Sequence, residues 1–590
     1  MTVFRPAISF RKIIDRIRKY RPDQHISSLL IAIVIGILSG YGAVLFRFVI
    51  KGAQYLFYQN SDDILTFAAS IPPYVMIGMP ALGGLIVGIL VHFGAREAKG
   101  HGVPEVMEAV SLRGGHIRKR VAFVKIMASA ICIGSGGSVG REGPIVQIGA
   151  SIGSSVSQLF KMSSQQRRTM VGCGAAAGIA ATFNAPIAGV LFALEVLLGD
   201  FGIAAFSPVV LSSVMATTIS RHYFGDFPAF VIPSYELVSL WELIIYPFLG
   251  ILAGLLGILF ITVLYKAEDL SDLVKIPDWI KPAIGGLMLG IVLLKWPQVF
   301  GVGYGAMNLV LLNEMTGMLM LTLIFVKMAA TSITLGSGGS GGIFAPSLFM
   351  GSMVGGFFGW FVNLFFPVIT APPAAYALVG MGAFVAATTH APITAILIIF
   401  EMTGNYKIIL PMMITCILST IVASSLKTGS IYTIKLLRRG VDLSKGLEQN
   451  ILKNMKVRQI MEKNVVTVPE GMPLVSLIST FKVRNVSYLH MVNKENDLTG
   501  IISFRDIRPL LEEEEVNYLI IAKDVATTNV VTVGEDDNIQ VAMSLMGNRG
   551  ISQLPVTGGG DGRKLIGTLR EKDVIAAYDN AVIRHEIELH

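Results

Sequence analysis

Between Lys327 and Glu401 the chain carries no Asp, Glu, Lys or Arg. A helix needs roughly 20 apolar residues to cross a bilayer, so this stretch must hold several buried helices. Further uncharged runs of crossing length begin at Ile26 (ISSLLIAIVIGILSGYGAVLF), Tyr74 (YVMIGMPALGGLIVGILVHFGA) and Leu243 (LIIYPFLGILAGLLGILFITVLY). Only 15% of the 590 residues are charged and 53% are hydrophobic, where soluble domains carry about 25% charge. The sequence therefore predicts a multi-pass, helical membrane protein. Arg5, Arg11, Lys12, Arg16, Arg18, Lys19 and Arg21 precede the first run, which is too long for a signal-peptide core. The positive-inside bias places this basic segment, residues 1–25, in the cytoplasm. The net charge of +8 flanks membrane spans and no nucleic-acid reader motif accompanies it, which excludes nucleic acid as a partner. Cys132, Cys173 and Cys416 stand alone in apolar segments and read as core residues, and no metal-ligand spacing occurs.

Charge density changes near residue 440: of the 48 basic and 40 acidic residues, 38 fall in the last 150 positions. A soluble region is expected there. The membrane region, 26–440, repeats itself over about 26–220 and 240–440. ATFNAPIAGVLFALE (181–195) returns as ATTHAPITAILIIFE (387–401), so Pro186 and Glu195 match Pro392 and Glu401. GSGGSVGREGP (134–144) returns as GSGGSGGIFAP (336–346). Spacing alone leaves open whether the halves are parallel or inverted. Many apolar segments are cut by Gly, Pro and polar patches such as GHGVPE (100–105). Broken helices at membrane depth are tolerated only where they line a site.

Glycine and serine just before a helix leave its first N–H groups free, and the helix dipole adds about half a positive charge. An anion can dock there, and partial charges hold it loosely enough to release it, unlike a fixed ammonium. Close packing of helices is the alternative use of such residues. The literal G-x-S-x-G of Gly136–Gly140 and Gly338–Gly342 also raises an intramembrane serine hydrolase, but that motif needs a strand-to-turn context, an oxyanion hole and a histidine, for which only His101 and His390 are near, and a duplicated nucleophile has no chemical use. Glu142 stands at one such helix start. Ionised, it would occupy the anion's place; protonated, it would vacate it. A first-turn glutamate paired with Arg141 would be costly inside a membrane without such a role.

In order, GHGVPE, GREGP (140–144), GGIFAP (341–346) and the tyrosine of SIYTIKL (430–436) resemble the anion-pathway motifs of the CLC family of chloride channels and proton-coupled exchangers. The resemblance implies an all-α homodimer, each subunit an inverted repeat of broken helices with its own pore. It makes Glu142 the gate and assigns anion binding to His101, Gly102, Val103, Arg141, Gly143, Ile343, Phe344, Ala345 and Tyr432. Two positions depart from the family. His101 stands where a serine hydroxyl usually meets the central anion, and imidazole can donate a hydrogen bond and charge near neutral pH. Val196 replaces the inner glutamate that relays protons in exchangers, which favours passive conduction over obligatory exchange.

After a linker (441–454), the tail is itself duplicated: NVVTVPEGMPLVSLIST onward (464–507) is answered from Asn529 to Val574. Both copies, 455–512 and 521–582, resemble CBS domains, small soluble α/β modules. GIISFRDI (500–507) carries the full signature, placing Ser503 and Asp506 to meet a ribose, whereas GTLREKDV (567–574) keeps Asp573 but has Arg570 in the hydroxyl position. The resemblance implies an adenine nucleotide as ligand, with Arg570 available to phosphate, or a purely structural, dimerising pair. GGGDG (558–562) reads as a turn. The expected function is gated chloride transport in the cell membrane with cytoplasmic CBS modulation and no required cofactor. The alternatives are a proton-coupled antiporter and a membrane-anchored CBS sensor acting as a scaffold.

Overall fold

The computed structural model describes residues 24–230, 232–233, 235, 237–442, 452, 455–512, 519–558 and 563–578. Most of the basic leader, most of the linker and residues 559–562 of the GGGDG segment lie outside the described residues. The chain forms two compact units, divided between Arg438 and Arg439.

The first unit is helical. In chain order we number α1 Gln24–Tyr58, α2 Pro73–Ile89, α3 Val103–Leu112, α4 Lys119–Gly134, α5 Glu142–Leu159, α6 Ser164–Phe183, α7 Pro186–Phe192 and α8 Ile203–Phe224. There follow α9 Glu242–Leu273, α10 Lys281–Lys295, α11 Tyr304–Leu311, α12 Gly317–Gly336, α13 Phe344–Phe365, α14 Pro373–Thr389, α15 Pro392–Thr403, α16 Ile409–Leu426 and α17 Thr433–Arg438. Among the described residues, seven helices are long and apolar enough to cross a membrane. The unit is a multi-pass membrane domain.

The sequence repeat is a structural one. Adding 202 carries Gly136 (φ 113°) onto Gly338 (φ 106°), each just past the helix that precedes its motif. Asn184 and His390 both end their helices in the left-handed region, at φ 57° and 56°, two residues before the prolines that start α7 and α15. Proline suits a first helical turn because its missing N–H would have no partner there. α5 packs on α6 as α13 packs on α14.

Two sets of contacts settle the direction of the repeat. The Glu195 carboxylate, just beyond α7, accepts from the amides of Ile393 (3.3 Å) and Thr394 (2.8 Å) at the start of α15. Glu401, near the end of α15, accepts from the amides of Ile187 (3.0 Å) and Ala188 (2.7 Å) at the start of α7. Each glutamate satisfies otherwise free N–H groups at the head of the other helix, which requires α7 and α15 to run antiparallel. The halves are inverted.

The second unit holds two α/β modules. The first contains β1 Thr467–Pro469, α18 Leu474–Arg484, β2 Tyr488–Val492 and β3 Leu498–Ser503; the second contains β4 Val533–Gly534, α19 Ile539–Arg549, β5 Gln553–Gly558 and β6 Lys564–Arg570. In each, the first strand pairs parallel to the second and the second antiparallel to the third. Val468, Leu477, Phe481, Leu489 and Ile502 fill one core; Val533, Ile539, Met546, Leu554 and Leu569 fill the other. The modules trade their leading segments: Lys456 and Glu462 pair with Asn538 and Thr568, while Ile521 and Thr527 pair with Pro473 and Ile501.

Candidate functional site

The two GSGGS strings and GHGVPE meet at the centre of the membrane unit. Gly140 and Gly342 exchange backbone hydrogen bonds of 2.7 and 2.6 Å in an antiparallel bridge. The Gly100 amide donates to the Gly339 carbonyl (3.0 Å), and the Gly341 amide to that of Gly100 (3.3 Å). The loops that lead into α3, α5 and α13 are therefore bonded together, and amides at the starts of α5 and α13 converge.

Glu142 occupies that convergence. It is 1% exposed, its Oε2 accepts from the Ala345 amide of α13 at 3.4 Å, and the amides of Arg141 and Glu142 also face the carboxylate. Gly140 is glycine for a visible reason: a Cβ there would meet Glu142 Oε2 at 2.1 Å. At Gly143 a Cβ would meet the His101 carbonyl at 2.1 Å, so the α3 and α5 starts touch backbone to backbone. Among the described residues Glu142 Oε1 is buried without a protein hydrogen-bond partner. Such a carboxylate is expensive as a fixed charge and well suited to protonate or move.

On the other side, Gly102 (φ 83°) precedes α3 with Val103 buried behind it. His101, 4% exposed, lies with its ring 5.8 Å from the Tyr432 ring. Tyr432 directly precedes α17, and Lys435 of α17 pairs with Glu105 of α3 at 3.6 Å. Ile343 and Phe344 open α13 and are buried. Thus His101, Gly102, Val103, Arg141, Glu142, Gly143, Ile343, Phe344, Ala345 and Tyr432 belong to one neighbourhood. The Arg141 guanidinium carbon lies 5.2 Å from the Tyr304 ring centroid, at the start of α11. Arg47 of α1 is a further electrostatic neighbour of both Arg141 and Tyr304.

Neither serine of the G-x-S-x-G strings is poised as a nucleophile: Ser138 Oγ donates to the Val299 carbonyl and Ser340 Oγ to that of Ala98, both at 2.7 Å. Val196 sits in the π turn Ala193–Leu198, beside the Glu195 whose carboxylate caps α15.

Sequence reasoning missed two lysines. Lys125 of α4 and Lys327 of α12 are each 0% exposed and again 202 residues apart. Lys125 Nζ donates to the carbonyls of Ala98 (3.0 Å) and Gly100 (2.8 Å); Lys327 Nζ donates to those of Val299 (3.2 Å) and Gly301 (2.9 Å). Each clamps the loop leading into a short helix, α3 or α11. Their shared offset was the available signal.

In the soluble unit, a cleft of about 980 Å3 is lined by Ser503, Asp506, Arg570 and the buried His490. Asp506 Oδ2 accepts from both the Ser503 amide and hydroxyl at 2.8 Å. Arg570 is engaged with Asp573 (2.6 Å) and Glu462 (2.8 Å), so a phosphate there would compete with two carboxylates. Burial pushes the His490 imidazole down to about 4, which keeps it neutral.

An inverted pair of membrane halves that aims helix starts at one buried, protonatable carboxylate defines a protein that handles anions inside a bilayer. Residues 83–424 match the family described as voltage gated chloride channel, and 457–513 and 522–580 each match the CBS domain. The chain belongs to the voltage gated chloride channel family and carries a tandem CBS pair. It is 34% identical over 418 residues to a putative ClcB-like chloride channel protein of Ralstonia nicotianae, covering 70% of this chain and 97% of that one. It is 30% identical over 572 residues to chloride channel protein CLC-f of Arabidopsis thaliana, covering 83% of this chain and 72% of that one. Among solved structures, a slow cyanobacterial Cl-/H+ antiporter superposes with a TM-score of 0.64 at 31% identity, covering 71% of this chain and 98% of that one. A eukaryotic CLC transporter shares the fold over 95% of this chain and 98% of its own, with a TM-score of 0.62 at 19% identity.

Proposed function

We propose that this chain conducts chloride, or an anion of similar size, across the membrane, with Glu142 as the gate. The observation that carries the reading is the Glu142 carboxylate lodged at the start of α13, held by the Ala345 amide as a bound anion would be. A neutral, protonated side chain loses the dipole attraction that holds it there and leaves the seat to the permeant ion. Anion binding is assigned to the amides around Arg141, Gly143, Ile343, Phe344 and Ala345 on one side and to His101, Gly102, Val103 and Tyr432 on the other. Val196 offers no group to relay a proton inward, which supports passive, channel-like conduction. The chain acts as a homodimer in the cell membrane, with its amino terminus and CBS pair cytoplasmic. The pair modulates conduction, with an adenine nucleotide in the cleft at Ser503 and Asp506, and Arg570 and Asp573 rearranging around its phosphate. No cofactor is needed for conduction itself.

Proton-coupled antiport is the second reading, supported by the description of the cyanobacterial structure at 31% identity. Reconstituted protein under a chloride gradient separates the two: uphill proton movement in fixed ratio to chloride would overturn the channel reading. Glu142→Gln should abolish the pH dependence of flux, and an unchanged pH profile would remove Glu142 from the gate.

A further inference from the structure

A second site for a negatively charged group lies away from the anion pathway, where two spanning helices end. The π turn Leu90–Gly94 closes α2, the turn Arg96–Ala98 follows, and the segment between α9 and α10 lies against them. Between these segments is a cleft of about 220 Å3 lined by Val91, His92, Arg96, Lys99, Asp278 and Gly338, among others.

Its charge is one-sided. Asp278, the acid among the lining residues, is already held by Lys281 at 2.8 Å, and Lys99 and His92 also act on it. With Asp278 neutralised by Lys281, the cationic heads of Arg96 and Lys99 remain in excess. A guanidinium fork beside an ammonium is matched by the oxygens of a phosphate. The surroundings favour a phosphate that arrives on a lipid. Phe93 follows His92 and is 74% exposed, and Leu273 and Val274, 76% and 47% exposed, end the span that leads to Asp278, so large apolar side chains are exposed at both helix ends that supply the cleft. Apolar groups beside cations at the end of a span are the pattern of a headgroup boundary.

We propose that this cleft seats the phosphate of an anionic phospholipid and that the bound lipid steadies the anion pathway. The coupling runs through backbone. Lys99 precedes Gly100, which is bonded to Gly339 and Gly341, and its Cε lies 3.6 Å from where a Cβ on Gly338 would sit. A phosphate on Arg96 and Lys99 therefore grips the chain one residue from the bridge that holds GSGGS against the start of α3. The regulatory half of this inference rests on the proposed anion conduction; the binding half does not.

The test uses the full-length protein in phosphatidylcholine vesicles with and without phosphatidylglycerol, and native mass spectrometry of protein extracted from each. Retained phosphatidylglycerol should fall about tenfold in the Arg96→Gln, Lys99→Gln double variant and rise in Asp278→Asn, which frees Lys281. Thermal melting of each variant reports folding. Unchanged retention in a folded double variant overturns the site, and a parent protein that binds inorganic phosphate but retains no more phosphatidylglycerol than the double variant reassigns the site to a soluble anion and overturns the lipid. Chloride flux should rise severalfold with phosphatidylglycerol in the parent and not in the double variant. Flux indifferent to lipid overturns the regulatory role, whereas absence of flux in every membrane, with lipid still retained, faults the conduction reading instead.

Discussion

Replacing Gly140 by alanine should unseat the gate while Glu142 itself stays in the sequence. Gly140 is not among the residues with positive φ, so alanine suits its backbone, and its amide and carbonyl stay bonded to Gly342. The new Cβ, however, would lie 2.1 Å from Glu142 Oε2, 3.1 Å from the Ala345 Cβ and 3.2 Å from the Ala345 amide nitrogen. The easiest of these to move is the end of the glutamate side chain. A carboxylate at a partly buried helix start is worth up to ~2 kcal/mol, and losing that seat shifts the balance of seated to unseated gate by about 30-fold. Chloride efflux from vesicles should therefore rise at neutral pH and lose most of its acid activation, approaching Glu142→Gln. A folded Gly140→Ala protein with the parent's rate and pH profile would refute the reasoning, because the carboxylate would then not be where its charge matters.

Lys125→Met and Lys327→Met should each lower the melting temperature in detergent, since two loop carbonyls lose a buried donor at a cost of roughly 1–3 kcal/mol; a neutral result for either would deny the clamp. Glu195→Gln and Glu401→Gln should cost similar amounts, ~0.3–2 kcal/mol each, and a melt altered by only one would break the symmetry of the exchange. The CBS unit should weaken in mild acid. His490 titrates at about 4 when folded against 6.5 ordinarily, so between those values the unfolded chain takes up a proton that the folded one refuses. Stability then falls as pH drops, by up to ~3 kcal/mol. Hydrogen exchange of CBS segments in the full-length protein at pH 7 and 5 should show this, and His490→Leu should abolish the difference.

The spanning helices were legible because an uncharged run has few other places to go. The glycine and serine strings announced two helix starts because they repeat, each followed by a proline. Spacing did not give their direction: an offset of 202 has no sign in space, and the inversion that the family resemblance implied rests in the structure on the contacts of Glu195 and Glu401. Tyr304 and Arg47 join Arg141 through tertiary packing between distant helices, which local patterning does not encode. The buried lysines were hidden by habit, since a lysine in an apolar helix reads as an edge residue unless its twin is sought. In the tail, the two α/β copies were evident from β-branched runs, but the trade of leading segments depends on pairing between modules and left no periodic trace.

The bridge between Gly140 and Gly342 has a consequence for ancestry. Because the Glu142 carboxylate of one half rests on the Ala345 amide of the other, neither half alone contains a complete seat. A precursor of half this length would have had to insert in both orientations and meet an upside-down copy of itself. In the fused chain the two copies differ at the seat itself: one carries the Glu142 carboxylate where the other, 202 residues on, carries Phe344.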